Sequence, residues 1–317
     1  MQLHDIISHI APADQGACAL CAARFDAVAK PIGSLGLLEE LLCRVAAASG
    51  DPAIHIEQKS TLVFCADNGV LAQGVAQCGS EVTTAIARSL MAGTASVNAM
   101  SDACGAKVFP VDVGMIDTVP GLLDRKVLPG TGDISQGPAM SRAAAEQAIL
   151  TGVELVGRRR AAGDRLIAVG EAGIGNTTTA AAVAAVLLGR GAEEVTGRGS
   201  GLTDEGLARK RAAVARAIEV NRPDAADPVD VLSKVGGLDI AAMAGAFLGG
   251  AYHRVPMVID GVISSVAALC AVRLCPAAGD YLLPSHISAE PAGALVMEAL
   301  RFCPILHGGL RLGEGTG

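Results

Sequence analysis

The chain has 317 residues, 51% of them apolar but only 2% aromatic, with 39 glycines and no Trp. That length suits one large domain or two unequal ones, with a core of Leu, Val, Ile and Ala such as forms where helices cover a sheet. A net charge of −7 argues against a nucleic-acid partner, because affinity for a phosphate backbone comes mostly from Lys and Arg.

From the N-terminus, Met1-Gln2-Leu3-His4-Asp5 lacks the basic start and apolar stretch of a secretory signal. Cys18 and Cys21 form a C-x-x-C pair in an alanine-rich segment that reads as helix. No second pair or nearby His completes a zinc set, and all nine cysteines read as reduced thiols. Lys30-Pro31-Ile32-Gly33 is a stiff turn, after which Ser34 is expected to cap a helix carrying Leu35, Leu38, Leu41, Leu42 and Val45. A buried strand is predicted over 61–66, ending in Asp67-Asn68-Gly69, followed by helices over about 81–91 and 95–104. Residues 107–113 give a second strand, and 133–163 a turn and a long helix. Arg158-Arg159-Arg160, the only basic run, falls where cations complement the dipole of a helix end. A third strand over 165–169 runs into a loop carrying Glu171 and then an alanine-rich helix. Its purest apolar run, 180–188, is far below the roughly 20 residues a membrane span needs. The second half repeats the alternation. Helices are expected from Thr203 or Asp204 to about Val220 and from Asp239 to about Ala251. A strand over 256–259 ends at Asp260-Gly261 before a helix through Cys270. A short apolar run over 281–283 precedes Pro284-Ser285-His286, and Pro291 opens a last helix at its first turn.

Strands alternating with helices imply an α/β fold, a parallel sheet with helices on both faces. Such sheets bind ligands at the carboxyl ends of their strands. Asp67, Glu171 and Asp260 each fall just after a predicted strand, which places them around one cleft.

Two glutamates sit in glycine-rich loops, Gly170-Glu171-Ala172-Gly173 and Leu312-Gly313-Glu314-Gly315-Thr316-Gly317. Glycine lets the backbone approach a ligand closely, and a partly desolvated carboxylate there is suited to general-base chemistry. Gly173, Gly175, Asn176, Thr177 and Thr178 lie between a strand and a helix start, where N–H groups, dipole and hydroxyls suit a phosphate monoester. A second glycine loop with Gly199, Ser200, Gly201 and Leu202 precedes the helix bearing Lys210, which could supply a positive charge. Neither loop has the Walker or G-x-G-x-x-G spacing, which weighs against a nucleotide-dependent oxidoreductase. His286 reads as a structural histidine, and no histidine spacing indicates a metal.

These motifs, together with Lys30-Pro31-Ile32-Gly33-Ser34-Leu35-Gly36, Ala66-Asp67-Asn68-Gly69-Val70, Asp112-Val113-Gly114 and Leu232-Ser233-Lys234-Val235-Gly236-Gly237, occur in one order. In that order the chain closely resembles the nicotinate-nucleotide–dimethylbenzimidazole phosphoribosyltransferase family, from about Leu20 to the last residue. The resemblance implies transfer of ribose 5-phosphate from nicotinate mononucleotide to a benzimidazole nitrogen, with inversion and release of nicotinate. It implies no cofactor and no metal, and assigns Glu314 as general base and Glu171 as a second active-site glutamate. It assigns 175–178, 199–202 and Lys210 to the nucleotide phosphate. Asp67 and Asp260, at strand ends where such residues often cap helices or fix turns, are ranked behind these as supporting candidates for substrate binding. It further implies a Rossmann-like catalytic domain over 51–300, and a small helical domain from residues 1–50 and the 301–317 return. The family's homodimer, whose subunits complete each other's cleft, would act in the cytoplasm on small molecules, with no nucleic acid and no membrane. Two departures are visible. Family members usually continue past the last glycine motif, so residues from about Leu310 onward are expected to be mobile. The helix lining the benzimidazole pocket carries Thr84-Ala85-Ile86, without the Gln of some members, so the acceptor could differ from dimethylbenzimidazole. The alternative is a relative that binds nucleotide or benzimidazole without turnover, against which stands the presence of Glu314.

Overall fold

The computed structural model describes residues 2–317. Its centre is one sheet of six parallel strands: β1 (Lys59–Ala66), β2 (Ala106–Gly114), β3 (Leu123–Asp124), β4 (Leu166–Ala172), β5 (Met257–Ile259) and β6 (Leu282–Pro284). Their order is β3-β2-β1-β4-β5-β6, the order of the doubly wound nucleotide-binding fold. The chain leaves β1 towards one edge and returns beside it as β4. The carboxyl ends of β1 and β4 therefore flank the point where the winding reverses, and a crevice opens there.

Sequence alternation explains why β1 sits at the middle. Leu62, Phe64 and Ala66 face the main core, while Val63 and Cys65 face a second apolar cluster; all five are 0% exposed. A strand buried on both faces is nearly continuous apolar sequence. Helices α4 (Glu81–Ala92) and α5 (Ser96–Cys104) supply Ala87, Leu90 and Val97 to the second cluster. On the main face lie α6 (Arg142–Ala161), α7 (Asn176–Leu188), the short α8 (Ala192–Val195), α9 (Asp204–Asn221), α10 (Pro228–Val235), α11 (Leu238–His253), α12 (Val262–Leu274) and α13 (Pro291–Leu300). Helices α6 and α11 cross at backbone contact: a Cβ on Gly152 would meet Ala242 O, and one on Gly245 would meet Ile149 O. Ser141, Thr203 and Asp227 cap α6, α9 and α10 through side-chain oxygens, and Pro291 opens α13. The arginine run ends α6, as expected.

At the N-terminus, α1 (Leu3–His9) puts Ile6 into the main core. Helices α2 (Gln15–Asp26) and α3 (Leu37–Ser49) enclose a small cluster of Cys21, Cys43 and Ala46. Arg44 donates to Gly279 O and Leu282 O, and Ala13 N–H to Asp280, fastening this hairpin beside β6. All nine cysteines are free. No helix among the described residues is long and apolar enough to cross a membrane.

Three expectations change. Ser34 does not cap α3; the helix begins at Leu37 after Gly36, whose φ of 54° is left-handed, so Leu35 lies outside it. β4 runs on to Ala172, so Glu171 is a strand residue opposite Phe64 and not a loop residue. Helix α10 and the two-residue edge strand β3 were not anticipated; β3 has no apolar run to announce it.

Candidate active site

The cleft is built where β1 and β4 end. Gly170 in β4 has no side chain because the final loop lies on it: a Cβ there would meet the carbonyl of Glu314. Gly313 and Gly315 both have φ of 89°, and Glu314 itself, at 64°, takes a left-handed conformation that ordinary residues avoid. Such strain persists only where the surroundings enforce it. They do so here. Asp260, just after β5, accepts from Gly315 N–H at 2.9 Å and from Gly317 N–H at 2.7 Å. Thr316 N–H and its hydroxyl both donate to Gly313 O, at 3.1 Å and 2.7 Å. The loop is thus tied to the sheet through Asp260.

Glu314 is half-buried, and its Oε2 is buried without a hydrogen-bond partner. Burial raises its pKa above the ordinary glutamate value, which makes it a stronger base. Glu171 is 7% exposed. Burial first, and then the nearby Asp239, push its pKa up to about 8, against the opposing hydrogen bond from Asn176. Burial likewise lifts Asp239 to about 6. The Asn176 amide donates to both carboxylates, to Asp239 at 3.0 Å and to Glu171. Near neutral pH Glu171 therefore carries a proton, while the two acids share one amide donor.

On the other side of the cleft, α7 begins at Gly175, whose φ of 96° turns the chain sharply into the helix. Thr177 follows in its first turn and accepts from the Lys210 ammonium at 2.8 Å. Lys210 is 0% exposed, and burial pushes its pKa down to about 8, partly offset by Glu290. Gly199, with φ of 55°, packs so closely that a Cβ would lie 3.0 Å from Thr177 Oγ1 and 3.2 Å from Lys210 Nζ. Its N–H donates to Glu290 at 2.9 Å. Together these groups form a helix-terminal, glycine-lined pocket backed by one ammonium, a setting for an anion.

The cavity between these halves measures about 310 Å³. It brings together Glu314, Glu171, Gly173, Gly175, Asn176, Thr177, Gly199, Ser200, Ile86 and Leu312 from the sequence reading. Six other expected residues stay off its wall. Lys210 reaches Thr177 from behind, and Leu202 is 6% exposed in the packing under the loop. Gly201 follows the lining residues, and Thr178, 0% exposed, points into the protein. Asp67 accepts from Ile116 N–H at 2.8 Å through one oxygen while the other is buried without a partner, and both Asp260 oxygens are taken by loop amides; neither residue lines the cavity. Sequence reasoning missed the apolar wall of Val75, Ala76, Cys78 and Val82, and the polar Arg198, Ser288, Glu290 and Arg311. It also passed over Asp239, seen only as a helix start. His286, read as structural, is 3% exposed and lines the cavity, with Nδ1 2.9 Å from the Ser285 hydroxyl.

A doubly wound sheet that gathers two desolvated glutamates and a glycine-lined helix start at its switch point has the form of an enzyme's active-site cleft. The chain belongs to the phosphoribosyltransferase family whose sequence pattern matches residues 10–317. It is 46% identical over 296 residues to the nicotinate-nucleotide–dimethylbenzimidazole phosphoribosyltransferase of Acetivibrio thermocellus, covering 93% of this chain and 84% of that one. The protein of the same name from Desulforudis audaxviator is 44% identical, over 99% of this chain and 90% of its own. The crystal structure of CobT from Thermus thermophilus superimposes with a TM-score of 0.90 at 41% identity, over 95% of this chain and 91% of that one.

Proposed function

We propose that this chain moves ribose 5-phosphate from nicotinate mononucleotide to 5,6-dimethylbenzimidazole or a similar base, giving α-ribazole 5′-phosphate and nicotinate for the lower ligand of cobalamin. The observation that carries this reading is Glu314: a desolvated carboxylate with an unpartnered oxygen, held in a strained loop at the mouth of the anion pocket.

The nucleotide phosphate would sit at the start of α7 against Gly199 and Thr177, with Lys210 behind them. The acceptor base would lie on the apolar wall of Val75, Val82, Ile86 and Leu312. Its nitrogen lone pair attacks the anomeric carbon as the bond to nicotinate breaks and the electron pair leaves with nicotinate. Nucleophile and leaving group lie on opposite faces of an oxocarbenium-like sugar, so the carbon inverts. Glu314 takes the proton that the benzimidazole must lose. Glu171, protonated near pH 7, offers a hydrogen bond without competing for that proton. The division into residues 1–50, 51–300 and 301–317, a homodimer and a cytoplasmic location belong to the same proposal. No nucleic acid or membrane enters it, and no cofactor.

Chromatography of a mixture of nicotinate mononucleotide, dimethylbenzimidazole and enzyme tests it. Stoichiometric release of nicotinate and α-ribazole 5′-phosphate is expected. Tight nucleotide binding with no nicotinate release would contradict the reading and favour a non-catalytic binder.

A further inference from the structure

Asp260 is 3% exposed and does not line the cavity, yet both its oxygens are committed to the loop that carries Glu314. They accept from the amides of Gly315 and Gly317, the first of which directly follows the base. The hydrogen bonds from Thr316 to Gly313 close the loop on itself, and the Glu314 N–H bonds the Glu171 carboxylate of β4, so Asp260 is the group that fixes the half of the loop beyond the base. A glycine-rich segment with a left-handed non-glycine residue has many conformations to lose. A carboxylate accepting two backbone amides is a short, rigid bracket, stronger than two neutral contacts. The bracket stands on β5, beside the switch point, while the carbonyl of Glu314 rests on Gly170 of β4. The reacting carboxylate is therefore referenced to two adjacent strands of the sheet.

We propose that Asp260 is a positioning residue: by clamping Gly315 and Gly317 it holds the Glu314 carboxylate at the acceptor base, and touches no substrate. The proposal rests on Glu314 being the base. A misplacement of about 1 Å at a reacting group can cost ~100-fold in rate, so the effect belongs in kcat and not in nucleotide affinity.

Asp260→Asn keeps the volume but retains one acceptor oxygen and turns an NH₂ towards the other amide. We expect kcat to fall by roughly 10–100-fold while the dissociation constant for nicotinate mononucleotide stays within about twofold. Amide exchange at Gly315 and Gly317 should quicken at least ~10-fold. Combined with Glu314→Gln, the change should cost little more than Glu314→Gln alone, because the two act through one group. A kcat within twofold of the parent would overturn the clamp, as would multiplicative losses in the double variant. Exchange on the unaltered protein gives a second arm that needs no variant and no turnover. There, Gly315 and Gly317 should be protected relative to Gly309, and equal exchange at all three would overturn the clamp even if the transferase activity stands. Clamp protection without nicotinate release would instead retire the reading of Glu314.

Discussion

Lys210 shows how burial and charge combine at a single residue. Its ammonium is held away from water with a hydroxyl as its hydrogen-bond partner, an unfavourable state that a phosphate dianion would relieve. Lys210→Met, which keeps the packing, should weaken nicotinate mononucleotide by roughly 1.5–3 kcal/mol, the range for a charge-assisted bond, and leave free dimethylbenzimidazole unchanged in calorimetric titration. Because its pKa lies near 8, nucleotide affinity should also fall as pH rises through about 8. Glu171 carries the opposite lesson. Its folded pKa is raised to about 8 above an ordinary glutamate value, so the stability it contributes is present below about pH 4.5 and is lost as pH rises towards 8. Glu171→Gln should therefore gain melting temperature over the parent at pH 8 and lose that advantage at pH 5; a constant difference across this range would contradict the assignment. Glu171 was legible as chemistry from the glycines around it, and Lys210 from the glycine loop that precedes its helix. Asp239 and the Val75–Val82 wall were not, because a buried acid at a helix start and a short irregular apolar stretch carry no local pattern.

At the scale of elements, the central strands and long helices were legible because they obey simple periods. β1 is apolar at every position from Leu62 to Ala66, and α4 and α6 fall close to their expected bounds. Errors came where tertiary contact overrides local chemistry. Ser34 is a good cap by type, but the left-handed Gly36 starts α3 further on. β4 extends through Gly170 and Glu171 because pairing with β1 and the loop resting on Gly170 stabilise an extended backbone there. The crossing of α6 and α11 makes a sharper demand. Gly245→Ala drives a methyl into the carbonyl of Ile149, and such overpacking costs typically about 1–3 kcal/mol. Urea denaturation should show that loss with unchanged slope, and a neutral variant would mean that the helices can separate freely.

For the whole molecule, the winding of the sheet explains why residues from both halves meet. Glu171 comes from β4, Asp260 follows β5, and Glu314 arrives from the end of the chain, yet the switch point between β1 and β4 gathers them at one rim. Alternation of strands and helices made the parallel sheet legible in the sequence. It could not show that Asp260 would serve the loop of Glu314, since that depends on a return of more than fifty residues. The proposed chemistry converges on one carboxylate, that of Glu314. Steady-state turnover of Glu314→Gln with nicotinate mononucleotide and dimethylbenzimidazole tests it most directly, since the amide is nearly isosteric but cannot accept the proton. A normally folded variant with kcat lowered on the order of 10²–10⁴-fold is expected; a rate within a few-fold of the parent would show that Glu314 is not the base.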